Sequence, residues 1–177
     1  WGGCVMASII RGSDDFDTAA TLRGIQLGTA VATTSGSAID ITGIPSGVKR
    51  LILTLFGVSN ASANSFIIQL GDSGGIETSG YISSVATSGG GTTATTGLLL
   101  IRGFTATSLC TGQVILSLQN SSTNAWVETG TLIEGGVRFQ HNSTGHKALS
   151  GELTSIRLTM LSSDTFDAGS INLSWEY

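Results

Sequence analysis

Charge is what this sequence has least of. Lys, Arg, Asp and Glu together make up 11% of its 177 residues, against roughly 25% in an average globular protein. Only eight of them are basic, and these are scattered. With a net charge of -4, the chain has no cationic patch for a nucleic-acid backbone, so no nucleic-acid partner is expected. Cysteine is scarce too: Cys4 and Cys110 stand alone, at no metal-ligand spacing, and read as free thiols of which one is a small core residue. No long apolar run is present. The longest uncharged spans, such as 78–101, are threaded with Ser, Thr and Gly and cannot make a membrane helix, so no membrane insertion is expected. The apolar opening Trp1 to Ile10 has no basic residue before it and is a poor signal peptide.

What is abundant is glycine, 25 residues, beside many Ser and Thr. Disorder would need low hydrophobicity, yet 40% of the chain is hydrophobic, so ordered tight turns are the better reading. The length suits one domain with a buried core. A surface this poor in charge points to an oligomer.

From Ile25 onward the hydrophobic period is two, the signature of strands with one face buried. Ile25, Leu27, Thr29 and Val31 alternate with Gln26, Gly28 and Ala30. The strongest strand is Val48 to Phe56, with Leu51, Leu53 and Leu55 on a core face. Arg50, Ile52, Thr54 and Phe56 lie on the other, a mixed face such as a subunit contact or a half-exposed strand would carry. Phe66, Ile68 and Leu70 make a second core triplet and are expected to pair with the first strand as a hairpin. Val114, Leu116 and Leu118 are a third. Trp126 is expected in the core. Gly89-Gly-Gly reads as a loop tip, and Glu134 to His146 as a polar loop. The last strand alternates Ile171, Leu173, Trp175 and Tyr177 with polar residues, so it is expected to pair inside a sheet. No helical period occurs after residue 24.

Residues 1–24 read differently, as a connector. Ser13 or Asp14 is suited to cap a short helix whose first turn carries Asp15 and Asp17. A calcium loop fits these aspartates poorly, because the required glycine and closing glutamate are missing.

The segment Gly71-Asp-Ser-Gly-Gly-Ile-Glu-Thr-Ser-Gly invites a catalytic reading, since GDSGG surrounds the nucleophile of trypsin-like proteases. Those enzymes place their histidine and aspartate upstream of the serine, whereas His141 and His146 both lie downstream of Ser73. A phosphate loop fails as well, for no Lys-Ser or Lys-Thr follows the glycines. The segment is expected to be a turn with Asp72 and Glu77 solvated. The spacing of His141 and His146 does not match a helical zinc motif, although a trimer axis is one way to bring three copies of a histidine around an ion. No pair of carboxylates is placed for glycoside hydrolysis. The chain is expected not to be an enzyme, and to need no cofactor or metal.

Three stretches carry a resemblance: Ala38-Ile-Asp-Ile-Thr-Gly-Ile-Pro-Ser-Gly-Val-Lys-Arg, Ile68-Gln-Leu-Gly-Asp-Ser-Gly-Gly-Ile-Glu-Thr-Ser-Gly-Tyr and Asp164-Thr-Phe-Asp-Ala-Gly-Ser-Ile-Asn-Leu. Together they resemble a β-rich domain of tail-fibre-like appendage proteins of tailed bacteriophages and prophages. The resemblance implies a homotrimer on a virion, assembled in the bacterial cytoplasm and meeting a host surface glycan or protein; residues 1–24 lie outside it and, as a connector, are expected to attach the domain to other virion proteins. A head-fibre, decoration or collar protein without a receptor role is the alternative. The expected fold is all-β, an antiparallel, jelly-roll-like β-sandwich of roughly eight to ten strands over residues 25–177. Candidate receptor contacts are Asp72, Glu77 and Tyr81 in the acidic turn and His141, Asn142 and His146 in the polar loop.

Overall fold

A computed structural model describes residues 24–136 and 139–177. The connector assignment, Cys4 and the three early aspartates therefore lie outside the described residues, apart from Gly24. What is described is all-β and antiparallel: a nine-stranded sheet packed on a five-stranded one. The expected β-sandwich is what the chain forms.

In chain order the strands are β1 (Gln26–Leu27), β2 (Val31–Ala32), β3 (Ala38–Thr42), β4 (Arg50–Asn60), β5 (Phe66–Asp72), β6 (Gly75–Ile76) and β7 (Ile82–Thr87). They continue as β8 (Gly90–Ala94), β9 (Leu98–Leu99), β10 (Cys110–Asn120), β11 (Ala125–Glu134), β12 (Phe139–Ala148), β13 (Ser155–Met160) and β14 (Phe166–Glu176). The large sheet runs β1-β14-β4-β10-β11-β12-β7-β8, with β2 also on β14; the small one runs β3-β13-β5-β6, with β9 on β5. The final strand is indeed internal, between β4 on one side and β1 and β2 on the other.

The alternation read from the sequence sets the core. Leu51, Leu53 and Leu55 on β4 have no exposed surface, nor do Phe66, Ile68 and Leu70 on β5. They belong to one cluster with Val114, Leu116, Trp126, Ile156, Leu158, Ile171 and Leu173. At one end Phe66 packs on Phe104 and Phe166, ring centroids 4.9 and 5.6 Å apart.

The expected hairpin between β4 and β5 does not form. β4 pairs with β10 and β14, while β5 pairs with β13, β6 and β9 in the opposite sheet. The two apolar faces meet across the sandwich instead of side by side. Period two tells which face of a strand is buried but not which strand lies beside it. Three further expectations change. Ile25 and Leu27 are 59% and 74% exposed, so the first alternation does not bury that face. Of Gly89 to Gly91 only Gly89 lies at the tip, in the turn of a hairpin, because Gly90 opens β8, which pairs with β7. The polar loop is β12, a ten-residue strand between β11 and β7.

Glycine allows one close approach that shapes the large sheet. At Gly169 φ is +91°, and a Cβ there would lie 2.4 Å from the Gly57 carbonyl oxygen, where the β4–β14 register slips. Gly169→Ala combines a left-handed strain with a backbone clash and is expected to cost about 2–4 kcal/mol. Chemical denaturation of the variant reads that loss directly; an unchanged midpoint would mean the bulge is not built this way.

Candidate functional site

The acidic turn between β5 and Ile82 exposes residues 73–75 and 78–80, but its carboxylates are tied inward. Its two carboxylates are both held by Ser150. Asp72 accepts the Ser150 hydroxyl at 2.6 Å and the Gly74 N–H at 2.7 Å, and these bonds hold its carboxyl below the usual range. Glu77 accepts the Ser150 N–H at 2.8 Å and pairs with the Lys147 ammonium at 2.5 Å. Burial alone would raise the Glu77 carboxyl, but Lys147 and Ser150 outweigh it and keep it ionised.

Tyr81 completes this knot. Its hydroxyl accepts the Leu70 N–H at 2.7 Å and donates to the Glu77 carbonyl at 2.8 Å, with the Lys147 ammonium 5.4 Å from its ring centre. Burial pushes the phenol up to about 12. Of the contacts expected for a receptor, Asp72 is 7% exposed, Tyr81 1%, and Glu77 half-buried. The expectation that Asp72 and Glu77 are solvated is therefore corrected: they tie the β5–β6 turn to the 147–151 segment.

The two histidines part company on β12. Five positions apart, they take opposite faces of a strand. His141 points inward, 1% exposed. Its Nε2 lies 3.3 Å from Glu134, and its Nδ1 accepts the Arg102 N–H at 3.4 Å, so the neutral ring carries its proton on Nε2. Burial lowers the His141 pKa, against the pull of Glu134. Glu134 is also bonded by the Thr105 N–H and hydroxyl, at 3.1 and 3.0 Å. Cys110 lies directly across from Glu134 on β10; burial, and then that carboxylate, push its thiol up to about 12. A thiol so protonated is a poor nucleophile. Among the described residues no three His, Cys, Asp or Glu side chains come together to hold a metal ion.

Asn142 and His146 point the other way, onto the outward face of the large sheet. The registers line this face in rows running from β14 to β7. One row is Asn172, Thr54, Gln113, Thr131, Asn142 and Ala86; the next is Ser174, Ile52, Ile115, Thr129, Thr144 and Ser84. At a spacing of about 4.8 Å per strand these rows extend roughly 24 Å. No Lys, Arg, Asp or Glu occurs in either row. A third row does carry charge, at its far end, where Arg50 and Glu176 pair with each other at 3.6 Å. Ser117, Val127, His146 and Ile82 continue it with no Lys, Arg, Asp or Glu.

Neutral hydrogen bonds knit the rows. Gln113 donates to the Thr54 hydroxyl at 3.3 Å, and the Asn142 carbonyl oxygen accepts from Thr131 at 3.3 Å and from Gln140 at 3.2 Å. An open groove of about 430 Å³ lies at the centre, lined by Gly112, Gln113, Ile115, Thr129, Gly130 and Thr131. Away from the Arg50–Glu176 corner, the face can offer donors and acceptors in close alternation, with aliphatic patches between, and no Lys, Arg, Asp or Glu.

Of the six expected contacts, then, the face gathers Asn142 and His146; Asp72, Glu77 and Tyr81 stand together elsewhere, and His141 is in the interior. Thr54, Gln113, Thr129 and Thr131 were missed as site residues. Their signal was the polar phase of each strand, which reads as ordinary solvent-facing surface until the strands are set side by side. Comparison of the chain with protein-family models, with curated proteins and with solved structures gives no match.

Proposed function

We propose that this chain is a non-enzymatic attachment domain of a virion appendage of the tail-fibre-like kind, and that it meets the host cell surface through the outward face of its large sheet. The observation that carries this reading is the pair of adjacent rows, free of Lys, Arg, Asp and Glu, that cross that face from β14 to β7, with the Arg50–Glu176 pair confined to one corner. A solitary soluble domain gains solubility from mixed surface charge, and a broad face with so little is suited to a partner. The virion setting is supported by the resemblance of the three segments named above. The knot around Tyr81 and Lys147 fits the same role, since it ties the end of β12 in the large sheet to the β5–β6 turn of the small one.

In this reading the domain works as a homotrimer, joined to other virion proteins through residues 1–24. Phe56 and Leu27, 72% and 74% exposed on β4 and β1, lie toward the β14 side of the face and supply apolar surface for the contact between copies. Light scattering is expected to return three times the 18.1 kDa of one chain. A stable monomer would remove the trimer. Fluorescently labelled protein is expected to bind host cells; a domain found on the particle that binds no cell would leave a head-fibre or collar role instead.

A further inference from the structure

The face has a definite chemistry at its centre. Gln113, Thr129 and Thr131 surround the 430 Å³ groove, whose floor is backbone at Gly112 and Gly130 and whose one apolar wall is Ile115. Asn142 and Thr54 flank it as the row neighbours of Thr131 and Gln113. These side chains supply amide and hydroxyl groups that both donate and accept. On β10, β11 and β12 the outward residues include no Lys, Arg, Asp or Glu.

We infer that this groove binds an uncharged saccharide. The inference rests on the attachment reading above and gives its ligand a chemical class. A pyranose presents closely spaced hydroxyls, each donor and acceptor, together with patches of C–H; Gln113, Thr129 and Thr131 match the first and Ile115 the second. The volume is in the range of small-ligand sites, roughly 300–1,000 Å³. Charge decides against an acidic sugar. A carboxylate or sulfate brought into the groove would lose hydration with no cation to replace it, which costs free energy. The groove is open and holds no aromatic platform, so each site binds weakly and attachment relies on several copies acting together.

The test uses the full 177-residue chain and four probes: neutral tetrasaccharides of glucose and of N-acetylglucosamine, and acidic ones carrying sialic acid or uronate. Saturation-transfer and chemical-shift NMR are expected to show binding of a neutral probe, with shifts at Gln113, Thr129, Thr131 and Asn142. Thr131→Arg, a substitution at an exposed position, fills the groove with a charged side chain and is expected to weaken that binding roughly tenfold or more. Gln113→Ala removes a donor and an acceptor without adding bulk and is expected to weaken it less, in the same direction. The inference is overturned by preferential binding of the acidic probes, by neutral binding that Thr131→Arg leaves intact, or by no binding to any probe. It is also overturned if the groove is covered by a second copy, seen as amide-exchange protection of residues 129–131 that Thr131→Arg relieves. Cell binding separates the two levels. Cells bound through a Thr131→Arg-sensitive face, with no neutral saccharide bound, sink the ligand class and keep the attachment reading; no cell binding sinks the attachment reading itself.

Discussion

Leu53→Asp leaves no folded protein to recover. Leu53 sits at the centre of β4 with no exposed surface, between Val114 on β10 and Leu173 on β14, and both of these neighbours are buried in the same core. An aspartate there would bring a carboxylate into an apolar interior. Either it stays charged and unpaired, or it takes a proton at a cost that grows with pH; the penalty is several kcal/mol in both cases, and the leucine's own burial is lost besides. Against a total stability of about 5–15 kcal/mol that is enough to abolish folding. Circular dichroism and amide exchange of the expressed variant decide it. Soluble, protected protein would mean that the other face of β4 is the buried one. The companion change Thr54→Asp, on the outward face next to Gln113, is expected to leave the fold intact.

The second large effect depends on pH. Glu128 on β11 is buried without exposed surface; one carboxyl oxygen accepts the Ser143 hydroxyl at 2.6 Å and the other has no hydrogen-bond partner. The space it occupies exists because residue 130 is glycine: a Cβ there would lie 2.5 Å from the Ser143 hydroxyl and 3.1 Å from the carboxylate. Burial pushes the Glu128 carboxyl from 4.5 up to about 7, opposed only by the Ser143 bond. The folded-state value is above the unfolded one, so the folded protein holds a proton that the unfolded chain has already released. Stability from this group is present in full below pH 4.5, falls as pH rises through the window from 4.5 to about 7, and is lost above it. The loss amounts to about 3 kcal/mol.

Other groups work in the opposite direction at lower pH. His141 is harder to protonate folded than unfolded, so its contribution is lost as pH falls below 6.5. Asp40, Asp72, Glu77 and Glu152 are all held below their ordinary values, and their stabilisation is lost only as pH falls below the carboxylate range. Glu128→Gln is therefore expected to flatten the decline between pH 5 and 8, because glutamine still accepts from Ser143 and never ionises. Denaturant melts of both proteins across that range give the comparison. Parallel curves would mean that Glu128 is not the group that titrates.

Much of the core was legible before any coordinates, because burial of one strand face leaves a period-two trace in the residues themselves. Leu51, Leu53 and Leu55, Phe66, Ile68 and Leu70, and Val114 and Leu116 were all read as core and all are buried, while Leu118 of the third triplet is only partly buried. Glu134 to His146 was misread because its alternation is between polar residues: His141, Ser143 and Lys147 face inward, and only their partners Glu134, Glu128 and Glu77 make that tolerable. Those partners are up to seventy residues away in the chain, on other strands or in another loop, so no local pattern announces them.

The candidate face shows the same division. That Thr54, Gln113, Thr131 and Asn142 each lie on the polar side of a strand follows from local alternation. That they form one row follows only from the registers of β4, β10, β11 and β12. Composition and local alternation suffice for the all-β class, the inward triplets and the shortage of charge, since these are properties of single segments. Tertiary structure alone decided that β4 and β5 lie in opposite sheets, that the acidic turn is locked by Ser150 and Lys147, and that the uncharged positions gather on one surface. Strand pairing is settled by long-range packing and hydrogen bonding between segments far apart in the chain, and an alternation of period two is equally satisfied by any partner of the right hydrophobic phase.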